Sequence, residues 1–89
     1  LDQNFPNPFN PVTSVRYGLP VDAHVTISVY NVLGQEVGKI LADKELAAGF
    51  GAVEFDGSSL PSGLYFYRLD AVAAQGVHFS SVGKMLLIK

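Results

Sequence analysis

Turn-forming residues interrupt this chain at intervals of roughly 8 to 12 positions, and between them apolar and polar residues alternate. A run of alternation about four to eight residues long suits a strand and leaves no room for a helix of ordinary length. In "SVRYGLP", residues 14–20, Val15, Tyr17 and Leu19 share one face. In "HVTISVYN", residues 24–31, Val25, Ile27 and Val29 turn inward, while Thr26, Ser28 and Tyr30 turn the other way. Pro20 and Asp22 separate these two strands, and Asn31 with Gly34 reverses the chain after the second. "EVGKILADKEL", residues 36–46, tolerates a helical period through Val37, Ile40, Leu41 and Leu46, yet Gly38 weakens a helix and strands bracket the segment. It reads as a strand. Ala48-Gly49 is a turn, Val53 and Phe55 form an inward pair, and a second turn-rich loop runs through Asp56, Gly57, Pro61 and Gly63. "LYFYRLDAVA", residues 64–73, carries bulky β-formers in both alternating sets, the mark of a central strand. After a turn at Gln75-Gly76, "VHFSSVGKMLLIK" returns as the last strand, bonded to "LYFYRLD". The count is about six or seven short strands, the signature of an all-β, antiparallel β-sandwich.

Ahead of the first strand, "NFPNPFNP" places Pro6, Pro8 and Pro11 where they forbid a helix and a central ladder position. Asn7 and Asn10 suit local Asx-turns, and the residues before the prolines are pushed toward extended backbone. The expectation is a stiff leader, residues 1–11, pinned by Phe5 and Phe9 onto a sandwich formed by residues 12–89. A plain linker is the alternative.

Eighty-nine residues suffice for one core, and 48% hydrophobic against 16% charged residues is the composition of a folding chain, far from that of a disordered one. A net charge of −2 with six scattered Lys and Arg supplies no patch to neutralise a row of phosphates, so nucleic acid is not an expected partner. Without cysteine the chain has no disulfide, thiolate nucleophile or sulfur-ligated metal. No apolar run approaches the ~18 residues of a spanning helix. The chain opens on Leu1, which suggests a piece of a longer polypeptide.

Residues with chemistry are few. A nucleophilic triad requires a histidine beside a nucleophile and a carboxylate. The histidines, His24 at a strand entrance and His78 in the last hairpin, have no nucleophile signature near them. Asp22, Asp56 and Asp70 fall at strand or turn boundaries, where aspartate commonly supports a turn. "FDGSS" lacks the D-x-D-x-D-G spacing of a calcium loop, and no glycine cluster has phosphate-loop spacing. Tyr30, Tyr65, Phe66, Tyr67 and Phe79 suit either a sandwich core or a flat platform for a sugar ring, the latter without its preferred tryptophan. No catalytic residue, metal site or cofactor is expected.

Four motifs carry a resemblance. They are "QNFPNPFNPVTSVRYGLP" at 3–20, "VYNVLGQEV" at 29–37, "AAGFGAVEFDGSSLPSGLYFYRL" at 47–69 and "GKMLLIK" at 83–89. Together the chain resembles the type A C-terminal sorting domain of the type IX secretion system, found at the ends of secreted proteins of Bacteroidota and their relatives. "VYNVLGQ" and "GLYFYRL" are also similar to strands of the immunoglobulin-like domain of the flagellar hook-capping protein. The resemblance implies an immunoglobulin-like sandwich of about seven strands and a non-enzymatic role as a sorting signal. That role directs an upstream passenger from the periplasm across the outer membrane, to the cell surface or the medium. It implies an outer-membrane translocon and a sortase-like peptidase as partners, and it carries recognition to Gly63, Tyr65, Lys84, Met85, Leu86, Leu87, Ile88 and Lys89. Two positions depart from the family pattern. Gly83 stands where relatives often carry a second basic residue, and Gly51 stands where they often carry a polar residue or His, a change expected to concern the turn alone. A cell-attachment module and a carbohydrate-binding accessory module of an extracellular enzyme are the alternative functions.

Overall fold

The computed structural model describes residues 12–88, so the leader with Phe5 and Phe9, and Lys89 at the other terminus, lie outside the described residues. Within that span the chain forms β1 (Val12–Leu19), β2 (Ala23–Tyr30), β3 (Glu36–Leu46), β4 (Gly49–Asp56), β5 (Gly63–Ala73) and β6 (His78–Leu87). A single 3₁₀ turn, Ala74–Gly76, joins the last two strands. Every strand expected from the alternation is present, including the ambiguous third.

The strands make two antiparallel sheets, one of two strands in the order β1-β4 and one of four in the order β3-β2-β5-β6. β5 is central, flanked by β2 and β6, and so uses the β-formers on both its faces. The chain crosses from the larger sheet to the smaller through Ala47 and Ala48, where the Ala48 N–H donates to Asp22 Oδ1 at 2.8 Å.

Inward residues of the two sheets meet in two clusters. Val15 and Leu19 of β1 pack with Ala23, Val25 and Ile27 of β2 and with Leu69, Ala71 and Ala73 of β5. Nearer the other end, Val29, Tyr65, Met85 and Leu87 form a second buried cluster, joined by Val37, Ile40, Phe55, Leu60 and Tyr67. Ser28 faces outward as its parity dictates, yet it is only 4% exposed, and the Lys39 ammonium reaches across and donates to its Oγ at 3.3 Å.

The β2–β3 reversal rests on Asn31. Its Oδ1 accepts from the N–H groups of Leu33 and Gln35, each at 3.0 Å, and its Nδ2 donates to Gln35 Oε1 at 2.9 Å. The side chain thus satisfies backbone donors that a tight turn leaves open.

Two glycines prove to have other duties than turning the chain. Gly51 lies inside β4 opposite Tyr17, and Gly83 lies inside β6 opposite Tyr67; a methyl group built on either would run into the tyrosine ring. The expectation that Gly51 concerns only a turn is therefore corrected: it belongs to a strand, and its bare backbone is the floor on which Tyr17 lies. A tyrosine laid over a cross-strand glycine covers backbone that would otherwise stay wet.

Candidate functional site

The described residues among those singled out by resemblance, Gly63, Tyr65 and Lys84 to Ile88, converge on one end of the sandwich. The register pairs Gly63 with Leu87, Leu64 with Leu86, Tyr65 with Met85 and Phe66 with Lys84. At the same end, Tyr30 pairs with both Phe66 and Glu36, and Val12 pairs with Asp56. Gly57, next to Asp56, lies against Leu87, so the start of β1 and the end of β6 lie at the same end of the sandwich.

Alternation divides the set in two. Tyr65, Met85 and Leu87 point inward and are buried, with Leu87 only 2% exposed. Lys84, Leu86 and Ile88 point outward; Leu86 is 61% and Ile88 58% exposed. Gly63 begins β5 at φ 153°, a backbone conformation that side chains rarely adopt. Half of the motif therefore holds the end together and the other half is displayed.

Two contacts fix the buried half. The Tyr65 hydroxyl donates to the Pro61 carbonyl at 2.7 Å, tying the loop before β5 to the strand's own second inward position. A tyrosine that reaches back to upstream backbone in this way is a recurrent corner of β-sandwiches. Tyr65→Phe removes this bond, leaves a partly buried carbonyl without its donor, and is expected to cost about 1–2 kcal/mol in a denaturant titration. The second contact is between Gly57, itself buried, and Leu87: a Cβ on Gly57 would stand 2.6 Å from a Leu87 methyl. Because Leu87 is locked in the core it cannot yield cheaply, so Gly57→Ala is expected to destabilise by about 1–3 kcal/mol, read as a lower Tm.

The displayed half continues across the outer face of the larger sheet. Leu64, Phe66 and Val82 extend it from Leu86, and Val32 and Leu33 at the β2–β3 tip stand exposed at the same end. A shallow groove of about 360 Å³ crosses this face, lined by Tyr30, Phe66, Arg68 and Val82 among others. Charges on the face are mostly neutralised locally: Arg68 Nε meets Asp70 Oδ1 at 3.0 Å, and Lys39 Nζ meets Glu36 Oε2 at 3.0 Å. Among the described residues no carboxylate pairs with Lys84. The arrangement offers an apolar strip with one unneutralised cation.

Leu64 and Val82 are not singled out from the sequence, and Tyr30 and Phe66 are singled out there as core or sugar-platform aromatics, not as recognition residues. The signal for Leu64 and Phe66 was in the sequence, since both alternating sets of β5 are apolar and only one can face the core.

The remaining chemistry-bearing residues do not assemble. His24 and Asp43 lie 3.6 Å apart on the surface, and His24 and His78 flank Val72 at the opposite end of the sheet. Asp56 Oδ1 accepts the Ser58 N–H at 2.9 Å, the Asx-turn geometry expected of "FDGSS". No group of three or more metal-ligating side chains occurs among the described residues, nor any helix long and apolar enough to cross a membrane. The five aromatic residues are split: Tyr65 is core, Tyr67 and Phe79 pack against it, and Tyr30 and Phe66 stand as a cross-strand pair on the outer face. A single platform of all five does not form.

No curated protein and no solved structure matches the chain. The family model described as the secretion system C-terminal sorting domain matches residues 3–80, most of the chain's length, and includes Gly63 and Tyr65 but stops short of "GKMLLIK". A sorting domain is an address displayed to a secretion machinery, and this chain belongs to that family, the C-terminal sorting domains of the type IX secretion system.

Proposed function

We propose that the domain delivers an upstream passenger through the type IX machinery without catalysing any reaction, and that the machinery reads the end of the sandwich where β5 begins and β6 finishes. Family membership carries the first part. The second rests on the division within the terminal motif, since Leu86 and Ile88 join an apolar strip exposed to water, and Lys84 stands exposed beside it. In this reading Gly63, Tyr65, Met85 and Leu87 act by positioning, and Lys84, Leu86, Ile88 and Lys89 act by contact. An outer-membrane translocon and a sortase-like peptidase are the proposed partners, and the cell surface or medium is the proposed destination. An immunoglobulin-like plan, akin to that of the hook-capping domain, belongs to the same proposal. Its support is the Tyr65 corner and the pairing of Val29 and Tyr30 with Tyr67 and Phe66 of "GLYFYRL".

The test is a reporter carrying residues 1–89 at its C-terminus, expressed in a bacterium with the secretion system and in a matched strain without the translocon. Reporter outside the cell in the first strain only is the expected result. A folded fusion held in the periplasm of both strains would contradict the reading and favour an attachment or glycan-binding module.

A further inference from the structure

The two edges of the larger sheet are built differently. β3, at one edge, is irregular: its register with β2 shifts at three places, Asp43 sits at φ 50°, and the strand carries Glu36, Lys39, Asp43, Lys44 and Glu45. Bulges and charges of this kind discourage another strand from joining. β6, at the other edge, keeps one unbroken register with β5 over ten residue pairs, contains no proline, and has Lys84 as its one Lys, Arg, Asp or Glu. Among the described residues no strand pairs with its outer side.

The orientation of that edge follows from one hydrogen bond. The Ala73 N–H donates to the Val77 carbonyl at 2.8 Å, and these two residues lie on the same register as the β5–β6 ladder. Bonded pairs recur at every second residue of an antiparallel ladder. Phe79, Ser81, Gly83, Met85 and Leu87 therefore turn their backbone groups toward β5. Ser80, Val82, Lys84 and Leu86 turn theirs outward, and their side chains belong to the outer face.

We infer that the open edge of β6 is a docking edge that receives one extended segment of a partner protein, apolar at alternate positions and carrying a carboxylate beside Lys84. Charge complementarity selects this occupant over a second copy of the chain. β6 has no Asp or Glu, so a second copy paired on this edge would offer Lys84 no carboxylate. Main-chain bonds from Val82, Lys84 and Leu86 supply the attachment, and the exposed side chains beside them supply selectivity. The inference deepens the sorting reading and rests on it, the segment then belonging to the secretion machinery.

Hydrogen exchange on the 89-residue chain is the first test. The amides of Val82, Lys84 and Leu86 are expected to exchange on the order of tenfold or more faster than those of Gly83 and Met85. Uniform protection would overturn the inference, because the chain's own leader or a second copy would then fill the edge; loss of protection on dilution would identify the copy. The second test compares Val82→Pro with Val82→Thr in the exported reporter. Proline removes an outward N–H and no β5–β6 bond, and is expected to cut export by roughly fivefold or more while threonine preserves it. Lys84→Glu, which leaves the backbone intact, is expected to reduce export also. Full export of folded Val82→Pro and Lys84→Glu reporters would overturn the docking edge and leave the sorting role standing. Failure of the unsubstituted domain to export would strike the sorting role itself.

Discussion

Leu87→Ala is expected to lower stability by about 2–5 kcal/mol, and Leu86→Ala, one residue away, to change it by no more than about 0.5 kcal/mol. The two leucines are chemically identical neighbours at the end of the same strand. Leu87 is 2% exposed, packs with Val29, Tyr65 and Met85, and lies against Gly57, where truncation leaves a cavity that the sheets cannot close. Leu86 is 61% exposed and opposes Leu64 on the outer face. For a domain of this size the larger loss is a substantial share of a total near 5–15 kcal/mol and corresponds to a Tm drop of roughly 10 °C or more. Urea denaturation of the two variants beside the parent reads the difference directly. Equal effects would mean that β6 has slipped by one residue, since a single step exchanges its two faces.

Alternation made most of the fold legible because β1, β2, β5 and β6 each bury residues on one face and β4 half-buries alternate residues. Val15, Leu19, Val25, Ile27 and Val29 follow the period of two, and β5 declared itself central through apolar residues on both faces. β3 was ambiguous for a physical reason: as an edge strand with a shifting register it buries neither face fully, so its apolar residues obey no strict period. What alternation cannot encode is which strands share a sheet. That β4 leaves β3 and pairs with β1 is a long-range choice that no local pattern in either strand announces. Nor does a sequence pattern distinguish a glycine that turns the chain from one that lies beneath a ring. Gly51 and Gly83 look alike to any turn rule until Tyr17 and Tyr67 are seen across from them.

The candidate site was legible as a motif and not as a surface. "SGLYFYRL" and "GKMLLIK" fall on β5 and β6, whose pairing was expected, but the motif mixes residues that face the core with residues that face solvent. Tyr65, Met85 and Leu87 are structural, and their neighbours Leu64, Phe66, Leu86 and Ile88 are displayed. Register resolves the mixture, because it fixes which member of each adjacent pair faces the core. The open edge of β6 was invisible for a similar reason: an edge is a property of strand order, and the order β3-β2-β5-β6 emerges only when all the strands are placed.

The second large effect concerns sorting. Replacing Lys84 with Ala, and Leu86 and Ile88 with Ser, alters three exposed side chains and none of the buried clusters. Stability is expected to stay within about 1 kcal/mol of the parent, since exposed substitutions remove little packing. Export is expected to collapse, because the apolar strip and its free cation are the displayed half of the motif. Leu87→Ala tests the complementary case, in which the surface chemistry is intact and the support beneath it is weakened.

The most direct measurement is the exported fraction of a reporter bearing this triple variant, compared with the parent domain in the same translocon-bearing strain, with Tm measured on both purified domains. The account predicts matching Tm values and export reduced to the level of the strain without a translocon. Matching Tm values with export equal to the parent would contradict it, and would mean that the machinery reads some other face of the sandwich.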